Sequence, residues 1–152
     1  IRDSLRHTDP EQLQEICLRL ARFKQENKEL LTYLLYEAED EAGYIRSIKA
    51  TLEELFHDVN KGNLYYAKKT IRKIIRQANK YIRYSGNEVT EAEVLLFVAG
   101  EIKNLSLDLS KSQVLMNMYK ALLKKAEKCI HSMHEDLQYD HLYKSREIQC
   151  PP

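Results

Sequence analysis

The sequence predicts an all-α protein, and three observations carry that reading. Gly 4 and Pro 3 are too few among 152 residues for the turn-rich connections of a β-sandwich. Leu, Glu, Lys, Ala and Ile dominate the composition and suit helices. Apolar residues recur at three- and four-residue spacing, the period of amphipathic helices rather than the alternation of strands. About six helices are expected, in three αα-hairpins near 10–42, 43–86 and 88–138. Each hairpin has the length of a HEAT-like or armadillo-like unit, which predicts a right-handed α-α superhelix, with an up-and-down helical bundle as the alternative. The length, 152 residues, is that of a single helical domain, with flexible ends expected at 1–8 and at the polar tail 144–152.

Asp9 before Pro10, with Gln12 three residues on, has the form of an N-cap, a proline at the first helical position and a capping-box partner. The first helix therefore starts near Pro10, with Leu13, Ile16, Cys17 and Leu20 as its buried stripe. Lys24-Gln25-Glu26-Asn27 is a polar break, and Asn27 is placed to cap a second helix carrying Leu30, Leu31, Leu34, Leu35 and Ala38. Gly43 is expected to end or kink it. A third helix follows with Ile45, Ile48, Leu52, Leu55, Phe56 and Val59.

Asn60-Lys61-Gly62-Asn63 reads as a compact turn. The fourth helix, over 63–84, carries Leu64, Ala67, Ile71, Ile74, Ala78 and Tyr81, and Ser85-Gly86-Asn87 stops it. Thr90 with Glu93 repeats the capping-box pattern and opens a fifth helix burying Val94, Leu95, Val98, Ile102 and Leu105. After Leu109-Ser110, a sixth helix from about Lys111 buries Leu115, Met118, Leu122, Cys129, Met133 and Leu137.

A formal net charge of +1 conceals a strong segregation. Between Glu37 and Asp58 seven carboxylates face only Arg46 and Lys49, whereas between Lys61 and Gly86 eight cations face no carboxylate. On a wheel of 100° per residue about Ile71, the apolar side chains of the fourth helix fall within roughly −80° to +40°. Lys68, Lys69, Arg72, Lys73, Arg76, Lys80 and Arg83 share the opposite arc with Tyr65, bordered by Tyr66 and Tyr84. Like charges at these spacings repel by about 0.2–0.5 kcal/mol per pair, on the order of 1.5–3.5 kcal/mol for the strip.

Antiparallel packing of the third helix would let Glu53, Glu54 and Asp58 reach Lys68 or Arg72, leaving Tyr65, Lys69, Lys73, Arg76, Lys80 and Arg83 as unneutralised surface. The strip, with Arg72 included, is the candidate binding face for an acidic protein partner, which makes the chain a helical interaction or scaffold module. The alternative is a low-specificity nucleic-acid-binding protein, in which cations meet phosphates and tyrosines stack on bases. No base-reading motif is present.

Nothing in the chain builds a catalytic site. There is no Gly-rich phosphate loop, no Gly-x-Ser-x-Gly and no His-Glu-x-x-His. Glu54-Leu-Phe-His57 is a single Glu-x-x-His where a di-iron bundle needs two, and its residues project outward from a core-facing Leu52. Glu127, His131 and His134 would share an outer face of the last helix, with His141 as a further ligand, and are the weak metal candidates. A base-excising enzyme on helical repeats would want tryptophan-lined pockets, and the chain has Trp 0. A metal-dependent or base-modifying enzyme is the least supported reading, and no cofactor is expected. Cys17, Cys129 and Cys150 show no paired spacing and read as reduced thiols. With no apolar run long enough to span a bilayer and no signal-like apolar core in IRDSLRHTDP, a cytoplasmic location is expected.

Within 27–86, Glu29-Leu-Leu-Thr-Tyr-Leu-Leu-Tyr-Glu-Ala, Ala67-Lys-Lys-Thr-Ile-Arg-Lys-Ile-Ile-Arg and Asn79-Lys-Tyr-Ile-Arg-Tyr-Ser-Gly86 resemble a family of uncharacterised helical proteins from Bacteroidetes. The resemblance covers about two fifths of the chain and implies a small cytoplasmic bacterial protein. It brings no assigned activity or functional residues.

Overall fold

The computed structural model describes residues 1–105 and 107–149, the Gln149 side chain excepted, and every regular element in it is helical. The elements are α1 (Arg2–Arg6), α2 (Pro10–Phe23), α3 (Gln25–Thr32), α4 (Glu41–His57), α5 (Leu64–Ser85), α6 (Glu88–Asn104), α7 (Gln113–Ser132) and α8 (Glu135–Gln149). A π-helical turn, Tyr33–Glu37, continues α3, and a 3-10 turn, Leu109–Lys111, precedes α7. No helix among the described residues is long and apolar enough to cross a membrane. The chain divides into two compact units, Ile1–Asp40 and Glu41–Pro152.

The first unit opens as its caps dictate: Asp9 accepts from the Glu11 and Gln12 backbone N–H groups, with Pro10 at N1. The expected buried stripe is not buried. Leu20 is 54% exposed and Ile16 37%, and α2 has no buried residue, because α2 and α3 offer each other only one narrow seam. Asn27 does not cap α3. Its Nδ2 donates to the Leu20 carbonyl at 2.9 Å, closing the end of α2 instead. Tyr33 is the one buried side chain of this unit among the described residues, while Tyr36 lies open.

In the second unit Gly43 neither ends nor kinks a helix. The break falls at 38–40, and Gly43 sits in the first turn of α4. Its core is Tyr44, Ile48, Leu52 and Phe56 of α4, Ile71, Ile74 and Ala78 of α5, Val94, Leu95, Val98 and Ile102 of α6, and Leu115, Leu122 and Ile130 of α7. α6 is the hub of the packing, buried on nearly every side: it meets α4, α5, α7 and α8. α5 and α7 both rest on α6 while barely meeting each other, which leaves a furrow between them.

Capping explains the turns. Asn63 accepts from Tyr65 and Tyr66 N–H to start α5. Gly86 ends α5 with φ 64 in the left-handed region, its N–H bonded to the Ile82 carbonyl at 2.9 Å. The cap of α6 is Asn87 rather than Thr90. Thr90 is fully buried one turn in, and its hydroxyl, with that of Ser85, donates to the Glu41 carboxylate, joining α4, α5 and α6 at one corner.

The sixth helix expected from the sequence is two helices. Met133 adopts an extended backbone and turns into the core, after which Glu135 and Asp136, the anionic residues a helix start favours, begin α8. Leu137 consequently lies 47% exposed. Helix continues across 144–149, where a polar tail was expected, with Ser145 buried and Tyr119 Oη donating to the Ile148 carbonyl at 2.7 Å. The rest of that tail, 150–152, lies outside the described residues. At the other end, 2–6 forms the short helix α1.

Candidate cationic face and its cleft

α5 presents the segregated surface its sequence encodes. Ala67, Ile71, Ile74, Ala78 and Ile82 are buried on one side. Lys69, Arg72, Lys73, Arg76 and Arg83 are exposed on the other, and Lys68 is half-buried. The neutralisation expected from α4 does not occur. Among the described residues, no carboxylate lies within ion-pair distance of Lys68, Lys69, Arg72, Lys73, Arg76 or Arg83. Glu53, Glu54 and Asp58 stand exposed on α4. Helix polarity offsets part of the repulsion, since Arg83 lies in the last turn of α5, at its negative C-terminal end.

Two members of the predicted strip behave differently from the rest. Lys80 is half-buried, its Nζ 5.4 Å from the Tyr81 ring centroid, so it belongs to a local cation-π contact. Tyr65 is 68% exposed and meets Tyr66 edge-on at 5.4 Å, which puts two open aromatic rings at the start of the strip.

Nothing in the helical pattern signals what lies beside the strip. A cleft of about 510 Å³ opens between α5 and α7, lined by Arg72, Ile75, Arg76 and Asn79 on one wall, Met118, Ala121, Leu122 and Lys125 on the other, and Leu95 of α6. Its surface is overwhelmingly apolar with cations at the rim. Lys125 bridges to Glu91 at 2.9 Å and donates to Asn79 Oδ1 at 3.1 Å, while among the described residues Arg72 and Arg76 have no carboxylate partner. Helical periodicity reports which residues lie on a face, not which faces of different helices fail to close on one another.

A second missed cluster centres on Glu93, expected as a capping partner. From α6 it receives Lys49 of α4 and, at 2.7 Å, Lys144 of α8, and His141 Nδ1 sits 3.2 Å away without hydrogen-bond alignment. Burial raises its pKa, but the two lysine hydrogen bonds and charges outweigh this and hold it below the ordinary carboxylate value. The lone acid among 93, 144 and 49 gave no sequence signal because its partners lie 44 and 51 positions away.

The metal candidates separate. The helix breaks between His131 and His134, so Glu127, His131 and His134 do not share one helical face. His131 Nδ1 pairs with the Glu127 carbonyl at 2.7 Å, and His134 faces Asp136 at 3.3 Å. Among the described residues no three His, Cys, Asp or Glu side chains converge as a metal-binding group. Cys129 is buried, donates to the Glu88 carbonyl at 3.2 Å, and has a thiol pKa pushed up to about 11 by burial and by the charges of Glu91 and Glu88. Compared with known protein families, with curated proteins and with solved structures, the chain matches none.

Proposed function

We propose that this chain is a non-enzymatic helical interaction module, and that the exposed face of α5 docks an acidic protein partner. The observation that carries this reading is the row Lys69, Arg72, Lys73, Arg76 and Arg83, which no carboxylate of the described chain neutralises. Such a row raises the local concentration of acidic ligands and speeds encounter, most strongly at low salt. The α4–α5 and α6–α7 hairpins, sharing α6 as their contact, are consistent with a HEAT-like or armadillo-like superhelical stack, a common scaffold for extended binding faces. On this reading the protein acts in a bacterial cytoplasm.

The alternative, a low-specificity nucleic-acid binder, draws its support from the open Tyr65 and Tyr66 rings beside the cations. One experiment separates the two. Fluorescence anisotropy with poly-glutamate, single-stranded DNA and duplex DNA is followed across a salt series, using the full chain and its Lys73→Glu plus Arg76→Glu variant. The acidic-partner reading expects poly-glutamate binding that weakens with salt and is lost in the double variant. Tighter binding of single-stranded DNA, reduced by Tyr65→Ala, would favour the nucleic-acid reading. No binding of any polyanion at low salt would refute both.

A further inference from the structure

The cleft beside the strip says more about the partner than its sign of charge. We infer that the furrow between α5 and α7 receives the apolar side chains of an acidic amphipathic helix, whose carboxylates meet the cations of α5. The inference rests on the acidic-partner reading above and adds to it a secondary structure, a binding mode and a second set of contacts.

The geometry is that of a helix-in-groove site. Two helices form the walls and a third, α6, contributes Leu95 between them. The wall residues run from Arg72 to Asn79 on α5 and from Met118 to Lys125 on α7. At a rise of 1.5 Å per residue each wall is about 10 Å long, about two helical turns. That length accepts apolar side chains one turn apart on a docked helix. Met118 supplies an adaptable surface, and the exposed Ala121 leaves the entrance low.

Charge then selects the flanks of the occupant. Arg72 and Arg76 stand at the rim with no carboxylate partner among the described residues, and Lys125 adds a third cation on the other wall, shared with Glu91. The cationic row also outruns the cleft. From Lys69 to Arg83 it spans about 21 Å of helix, twice the length of the apolar furrow. A small amphiphile with a single anionic head would use one end of the rim and leave most of the row unengaged. A helix with carboxylates along one flank engages both surfaces at once, with bidentate pairing available to each arginine.

The test uses the full chain and two designed peptides of equal charge, one helical with Leu at alternating three- and four-residue spacing among Glu, the other with each Leu replaced by Ser. Affinity is measured by anisotropy, and the site is located through the methyl signals of Met116, Met118 and Met133 in a methionine-labelled sample. The Leu-bearing peptide should bind at least about tenfold more tightly than the Ser-bearing one. The Met118 methyl should shift while that of the buried Met133 stays in place. Ala121→Trp, which fills the cleft mouth from an exposed position, should remove the Leu advantage while leaving the weaker binding of the Ser-bearing peptide intact. Its circular dichroism should match that of the parent chain.

Equal binding of the two peptides, with no effect of Ala121→Trp, would overturn the cleft inference and leave the acidic-partner reading standing. Failure of both peptides to bind at low salt would sink that reading and the inference together. Stoichiometric binding of laurate that shifts Met118 and is insensitive to Lys69→Glu plus Lys73→Glu would overturn the helical occupant in favour of a single-chain amphiphile.

Discussion

Replacing Glu93 by Gln tests whether the cluster joining α4, α6 and α8 is a structural tie. The Glu93 side chain is 14% exposed and that of Lys49 29%, so their charge-assisted hydrogen bond is partly shielded from water. A hydrogen bond to a charged group contributes about 1.5–3 kcal/mol. Lys144 is 52% exposed, and solvent screening limits its pairing to about 0.2–1 kcal/mol. Glutamine can still accept one lysine hydrogen bond but leaves the Lys49 charge without a counter-ion. The expected loss at neutral pH is therefore about 1.5–3 kcal/mol. The chain has Trp 0, so urea unfolding is best followed by far-ultraviolet circular dichroism. Because Glu93 has a lowered pKa in the folded chain, its contribution is complete above the unfolded carboxylate pKa and fades as pH falls through the folded one. The gap between wild type and variant should thus shrink below a pH of about 4, where protonated Glu93 comes to resemble Gln. A loss under about 0.5 kcal/mol at neutral pH, or a gap that does not change on acidification, would refute the argument.

Gly86→Ala should cost about 1–2 kcal/mol, read from the same urea curves, with Gly86→Asn costing less. A Cβ at Gly86 meets nothing within 4 Å, so the penalty is that of the left-handed backbone alone. Thr90→Val should destabilise by about 1–2 kcal/mol, because the buried hydroxyl it removes donates to Glu41. In a Cys150→Ser chain at neutral pH, Cys17 should react rapidly with a thiol reagent and Cys129 only after denaturation, as its burial and raised pKa require. Lys73→Gln should leave stability unchanged or raise it by about 0.2–0.5 kcal/mol, since it relieves like-charge repulsion with Lys69 and Arg76. A clear destabilisation would show that Lys73 serves the fold rather than a ligand.

The sequence by itself determined the helical class, the cap at Asp9, the turn before α5, the stop at Gly86 and the two-faced character of α5. All of these follow from periodicity and from hydrogen bonds between neighbours in the chain. Local rules misjudged Thr90 and Glu93, whose capping-box spacing is met by chance while their side chains answer to residues of α4 and α8. They also ran α7 into α8, because Met133 is drawn into the core by packing and not by a breaker residue. The tertiary structure alone decided that, among the described residues, Glu53, Glu54 and Asp58 make no ion pair with Lys69, Arg72, Lys73, Arg76 or Arg83. It alone opened a cleft beside Arg72 and Arg76, because a groove is made by the distance between α5 and α7, which no spacing within either helix encodes.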